Sequence, residues 1–215
     1  MNSGRAAQCL HWLQREFPLE ARVASLPAHL LRVYHSILES WSKGVPPSIG
    51  IADAAVLRDL AGFDAILIEE VGISCYPFSA CDTGIRVAVG QKSVNAMCAI
   101  DALAIPGIMA GVAQLEANCA VCGTRFACVV DQEGVIGSGG DHVAVAWGDK
   151  PAGSSCCGRS LCPQIRFQCV GCPAPTEGHL LDIADGAAVG IAFFSFQRRL
   201  LQTSGASGGV RRASP

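Results

Sequence analysis

Charge is scarce in this chain. Asp, Glu, Lys and Arg make up 16% of its 215 residues, and the formal net charge is −2. That balance offers no electrostatic attraction for nucleic acid or an anionic membrane surface. Arg211-Arg212 follows a Ser/Gly run and reads as a solvated end. Long apolar runs are missing too. The longest, around residues 184–196, is interrupted by Asp185, Gly186, Gly190 and Ser195, short of the roughly 18 residues that suggest a membrane span. Residues 1–15 lack a basic stretch followed by an unbroken apolar core, so no secretory leader is expected. These absences predict a cytoplasmic protein with neither membrane nor nucleic acid as partner. No internal repeat stands out.

What the chain does have is apolar content and sulfur. Half the residues are hydrophobic, enough for a folded core, and twelve are cysteines. In a reducing compartment thiols stay free for metal or chemistry, although a single cysteine also serves well as a small buried hydrophobe. Residues 5–43 carry apolar positions near a 3.6 period (Leu10, Leu13, Phe17, then Leu30, Tyr34, Ile37, Leu38, Trp41), broken by Pro18 and Pro27 near helix starts. A further helix is expected over Ile51–Gly62, and a turn at Gly44–Ser48.

Residues 65–68 and 86–89 are short β-like runs, and helices followed by a two-stranded ribbon suggest a winged-helix-like subdomain over residues 25–90. Its second helix carries only Arg58 as a base, which favours a structural role over DNA binding. Pro106-Gly107 marks a break after a central helix. Strands are expected at 126–130, 142–147 and 164–169, with glycine-rich Gly137–Gly140 and a Gly/Ser/Cys-rich loop over 148–162. A last helix follows over 182–201, and from Thr203 the composition suits a disordered tail. The fold expected is α+β: a helical, winged-helix-like part over residues 1–90, a mixed or antiparallel sheet core with a central helix over 91–202, and a tail over 203–215.

Three cysteine groupings compete. Cys98 and Asp101 stand three residues apart in an apolar run, so on a helix they share one face. A carboxylate there is costly to bury unless something satisfies or uses it. Cys119/Cys122 and Cys169/Cys172 are two CxxC pairs, a ligand set suited to structural zinc. The segment between them, residues 123–168, is much longer than the roughly 15–20 residues of a zinc ribbon. The adjacent Cys156-Cys157 would suit capture of a soft metal.

Tyr76-Pro-Phe-Ser-Ala80, Thr83, Arg86-Val87 and above all Ala96-Met-Cys-Ala-Ile-Asp-Ala-Leu103 with Ile105-Pro106 resemble the signature stretch of the alkylmercury lyases. Cys119 with Cys122-Gly123, and Leu161-Cys-Pro-Gln-Ile165, resemble that family's later cysteine segments. The likeness spans about residues 65–168. It departs from the family at Gly84 and Ile85, where a His usually follows the Thr. It departs again after Ile165, where Phe167-Gln168-Cys169 replaces paired aromatics and a Trp.

The resemblance implies that Cys98 and Cys162 are the active-site thiols and metal-holding groups and that Asp101 handles the proton. Cys119 then matches a buried structural cysteine. The implied reaction is protonolysis of a carbon–mercury bond, R–Hg⁺ becoming R–H with Hg(II) held by two cysteines and no organic cofactor. Mercuric reductase or small thiols would accept the Hg(II). A non-catalytic protein binding or sensing mercury, copper or zinc on the same fold is the alternative.

Overall fold

The computed structural model describes residues 3–136, 143–147, 156–174 and 178–206. The glycine-rich stretch Gly137–Gly140, His142, and residues 148–155 of the expected loop lie outside them. Proline opens the N-terminal helices where the pattern placed the breaks: α1 (Ser3–Glu16) ends before Pro18, α2 (Leu19–Ala24) follows it, and α3 (Ala28–Ser42) follows Pro27. With φ fixed near −65°, each proline suits a helix entrance. Along α3, Leu30, Tyr34, Ile37, Leu38 and Trp41 form one buried stripe. Trp41 stacks on Phe78 at 5.4 Å and donates its indole N–H to the Ile73 carbonyl. A 3₁₀ turn (Ile49–Ile51) and α4 (Ala54–Gly62) complete this helical part.

The strands do not pair as the winged-helix expectation had it. β1 (Leu67–Glu69) forms a tight antiparallel hairpin with β2 (Gly72–Ser74), not with residues 86–89. β3 (Phe78–Ser79), β4 (Arg86–Val89) and β5 (Lys92–Ala96) belong instead to a five-stranded antiparallel sheet with β6 (Ala113–Asn118) and β7 (Arg125–Val130), in the order β3-β5-β4-β6-β7. The physical reason is local. Gly90, at φ +59, closes a short turn that returns the chain from β4 directly into β5, so β4 spends its edges on β5 and β6. The boundary expected between residues 90 and 91 falls in that turn, inside one sheet.

Between β5 and β6 runs α5 (Ala99–Met109), in which every residue from Ala99 to Ile108 is buried. A helix apolar all round must sit in the interior. Pro106 does not break it. The helix runs on to a left-handed Ala110, and the Gly111 N–H closes on the Pro106 carbonyl. β8 (Val143–Trp147), β9 (Ile165–Cys169) and β10 (His179–Asp182) form a second antiparallel sheet, in the order β10-β8-β9. Ahead of β9 lie α6 (Cys157–Ser160) and a 3₁₀ turn (Cys162–Gln164).

The expected final helix is two, α7 (Ile183–Phe193) and α8 (Ser195–Ala206), so residues 203–206 are helical and not tail. The break at Phe194 turns Gln197 inward, where its buried amide donates to the Tyr34 hydroxyl and the Tyr76 carbonyl, both at 2.7 Å. Glycine lets α7 approach α5: a Cβ on Gly190 would lie 2.6 Å from the Ile100 carbonyl oxygen. The architecture is α+β, helices packed with antiparallel sheets. Among the described residues no helix is long and apolar enough to cross a membrane.

Candidate functional site

β5 delivers its last residue, Ala96, into a pair with Phe78, and the Met97 N–H bonds the Pro77 carbonyl at 3.2 Å. Thr83 adds a hydroxyl bond to the Ala96 carbonyl. The chain then turns into α5 with Cys98 as the N-cap residue in extended conformation (φ −152°, ψ −179°). Cys98 is thus just outside the helix and not within it. Asp101, third in the helix, still shares its space, because cap and third positions face one another across the first turn.

Cys162 arrives from the other side, heading the 3₁₀ turn that feeds β9. Its thiol donates to Asp101 Oδ2 at 3.7 Å. One ligand atom from each of Cys98, Asp101 and Cys162 lies within 4.8 Å of the others, and all three residues are buried. The structure brings together Cys98 and Asp101, which their spacing had paired, and Cys162, which only the resemblance had joined to them.

Burial sets their acid–base character. It pushes the Asp101 carboxyl up to about 7, against hydrogen bonds from Cys98 and Cys162 that favour its charge. Burial likewise raises the Cys98 thiol to about 11, opposed by a hydrogen bond from Cys162. The Cys162 thiol is also held well above its usual value, first by its bond to Cys98, then by burial and by the Asp101 charge. At neutral pH both sulfurs therefore rest as thiols beside a carboxyl balanced between its two forms. Such a group can take a proton and return it without a large energy step.

A second polar hub fixes the Cys162 side, and the sequence reading missed it. Asp64 is buried, with its backbone in the left-handed region at φ +52°, which Asp tolerates better than most residues. It accepts from Arg22 Nη1 at 2.7 Å, from the Tyr76 hydroxyl at 2.9 Å and from the Cys157 N–H at 3.0 Å. Tyr76 Oη in turn accepts from the Gly158 N–H. α6 is thereby tied to the β1 side of the molecule a few residues before Cys162. Glycine at 158 allows this close approach, since a Cβ there would meet Leu67 Cδ2 at 2.7 Å and Tyr76 Oη at 3.1 Å and displace those side chains. The available signal was a lone carboxylate ahead of the apolar run Ala65-Ile-Leu-Ile68, the same cue that singled out Asp101.

The remaining cysteines divide. Cys157 is buried and Cys156 half-buried at the start of α6, so the adjacent pair is part of this scaffold and not an exposed capture loop. Cys119, Cys122, Cys169 and Cys172 gather at a separate place, their sulfurs also within 4.8 Å of one another. As for the departures noted in the sequence, Gly84 lines an open cleft of about 570 Å³ on the five-stranded sheet with Asp82, Arg86 and Glu116. Gln168 is buried in β9, its amide nitrogen without a partner among the described residues.

With this geometry in place, two likenesses are informative. The family model of the alkylmercury lyases matches residues 78–171, which include Cys98, Asp101 and Cys162. The fold is similar to that in the crystal structure of the mercury-bound form of MerB2, with a TM-score of 0.65 and 16% sequence identity, over 83% of this chain and 96% of that one. No protein of curated function matches the chain in sequence.

Proposed function

We propose, from the match of residues 78–171 to the alkylmercury lyase family model, that this protein cleaves carbon–mercury bonds by protonolysis. The observation that supports it is the enclosed set of Cys98, Cys162 and a carboxyl at about 7, all within bonding reach of one soft ion.

Mercury(II) prefers sulfur, as soft ions do. The first thiol to meet R–Hg⁺ gives its proton to the Asp101 carboxylate and bonds the mercury. The second thiol adds to the same mercury and releases its proton to solvent. Two thiolates now push electron density toward the carbon, and Asp101 hands its proton to that carbon. The mercury–carbon bond breaks with its electron pair going to the new C–H bond. The balance is R–Hg⁺ plus two thiols giving R–H, one proton and mercury(II) bis-thiolate, with no change of oxidation state. The mercury ion is substrate and product. Its onward acceptor would be mercuric reductase or small thiols, and a cytoplasmic location suits thiols that must stay reduced.

The test is release of benzene from phenylmercury, read by gas chromatography alongside mercury retained by the protein. Stoichiometric or catalytic benzene is expected. Mercury bound at Cys98 and Cys162 with no benzene released would overturn the lyase reading and favour a non-catalytic mercury-binding protein.

A further inference from the structure

We propose that Cys119, Cys122, Cys169 and Cys172 hold one zinc ion as a tetrathiolate that clips the β6–β7 turn to the end of β9. The sulfur separations carry the argument. Cys119 and Cys172 lie 3.7 Å apart, as do Cys122 and Cys169. A disulfide would need about 2.05 Å. A tetrahedron with zinc–sulfur bonds of about 2.3 Å has edges of about 3.8 Å, which these two separations match.

The backbone around Cys119 is also arranged for a thiolate. Cys119 Sγ accepts N–H bonds from Val121 at 3.4 Å, Cys122 at 3.4 Å and Cys169 at 3.2 Å. Three donors converging on one sulfur suit an anion, and metal sites are commonly supported by such outer hydrogen bonds. The first CxxC is closed by a Gly123 N–H bond to the Cys119 carbonyl at 2.9 Å, with Gly123 at φ +74°, a conformation glycine adopts freely. The second is closed by the Cys172 N–H on the Cys169 carbonyl at 3.0 Å. Each pair is therefore a tight turn presenting two sulfurs to the same point.

The long separation in sequence is no obstacle. Residues 123–168 contain β7, β8, α6 and all of β9 but its last residue, and the Ala120 N–H bonds the Phe167 carbonyl at 2.9 Å, returning the chain to its starting place. The four-sulfur set is complete without carboxylate, imidazole or an open position, the pattern of a structural ion and not a reacting one. Its position is consequential, because β9 begins three residues after Cys162. An ion gripping the far end of β9 would fix the strand that presents this thiol.

The experiment is metal analysis of the full-length protein after purification with zinc, joined to X-ray absorption at the zinc edge. About one zinc per chain with four sulfurs at about 2.3 Å is expected. A Cys98→Ala/Cys162→Ala double variant should keep that zinc, and Cys122→Ser/Cys172→Ser should lose it. Should the latter fail to fold, the wild-type chain still decides. Chelation should speed hydrogen exchange at the Ala120 amide by at least about tenfold, and added zinc should reverse this. The proposal falls if zinc binds at well under one equivalent, if nitrogen or oxygen ligands dominate the spectrum, if iron fills the site, or if zinc is lost with Cys98 and Cys162. None of these readouts depends on carbon–mercury cleavage, so the two proposals can fail separately.

Discussion

The molecule assembles cysteines twice, and the two assemblies are opposites. Cys98 and Cys162 sit in the interior with a carboxylate, few donors and no third thiolate in their set. Cys119, Cys122, Cys169 and Cys172 form a set made only of sulfur, Cys119 buried and taking backbone N–H bonds, Cys169 and Cys172 half-buried and Cys122 exposed. Burial of Cys98, and for Cys162 its bond to Cys98 together with burial, favour the thiol form of the first pair, and in the proposed reaction each sulfur gives up its proton to a soft ion. In the second group neighbouring donors lower the Cys119 and Cys122 thiols while the crowding of sulfurs raises Cys169 and Cys172, so all four would be anionic together only around the proposed ion. On the two proposals above, the same side chain would serve turnover in one place and permanence in the other, according to what surrounds it.

The comparison breaks first at Asp101. Replacing it with Asn removes the proton carrier while leaving both sulfurs, so hydrocarbon release should fall about 100- to 10,000-fold with mercury binding retained. Undiminished release would remove the proton-transfer role and the contrast built on it. Cys98→Ala and Cys162→Ala should each abolish release and leave zinc content unchanged.

Next in size is the hub that holds the Cys162 side. Asp64→Ala would leave Arg22, the Tyr76 hydroxyl and the Cys157 N–H without their acceptor. Breaking a largely buried pair in this way costs about 3–5 kcal/mol, measurable by denaturant unfolding. A loss of under about 1 kcal/mol, the range of an exposed surface pair, would mean that the hub does not restrain α6.

The acid–base side of the contrast is sharpened by pH. The folded Asp101 carboxyl sits at about 7 against an ordinary 3.8, so the native state binds its proton more tightly than the unfolded chain does. Its contribution to stability therefore declines as pH rises from about 4 to about 7 and is level above that. Asp101→Asn should be more stable than wild type at about pH 8 by roughly 2–4 kcal/mol, with the gap closing toward about pH 4. Thermal melts of both proteins across that range decide the sign. A smaller effect is expected at Gly158→Ala, where crowding against Leu67 and Tyr76 should cost about 1–3 kcal/mol. The smallest is at Arg199→Ala, whose exposed bond to Glu20 should contribute no more than about 0.5 kcal/mol.

Much of the local structure was legible. Pro18 and Pro27 marked helix entrances because proline fixes its own backbone angle. The stripe from Leu30 to Trp41 showed its helix by period alone. The pairing of residues 65–68 was misjudged because a three-residue strand looks the same whichever partner it takes, and Gly72 gave β1 a nearer one. The helix through Pro106 was missed because proline forbids one hydrogen bond, and burial on all sides of α5 outweighs that loss. The strand His179–Asp182 went unseen, being too short for any period to register.

For the chemistry, the chain by itself determined which reactive groups come in pairs: the Cys98 thiol with the Asp101 carboxylate, Cys119 with Cys122, Cys169 with Cys172. These are neighbours along the backbone, and the geometry of a helix turn or a tight loop places them whatever the rest of the molecule does. Only the tertiary structure decided that Cys162 meets Asp101, that Asp64 anchors α6, and that two CxxC turns converge across residues 123–168. Those meetings depend on how sheets and helices pack over the whole chain, and no local pattern of residues encodes a distance between segments so far apart.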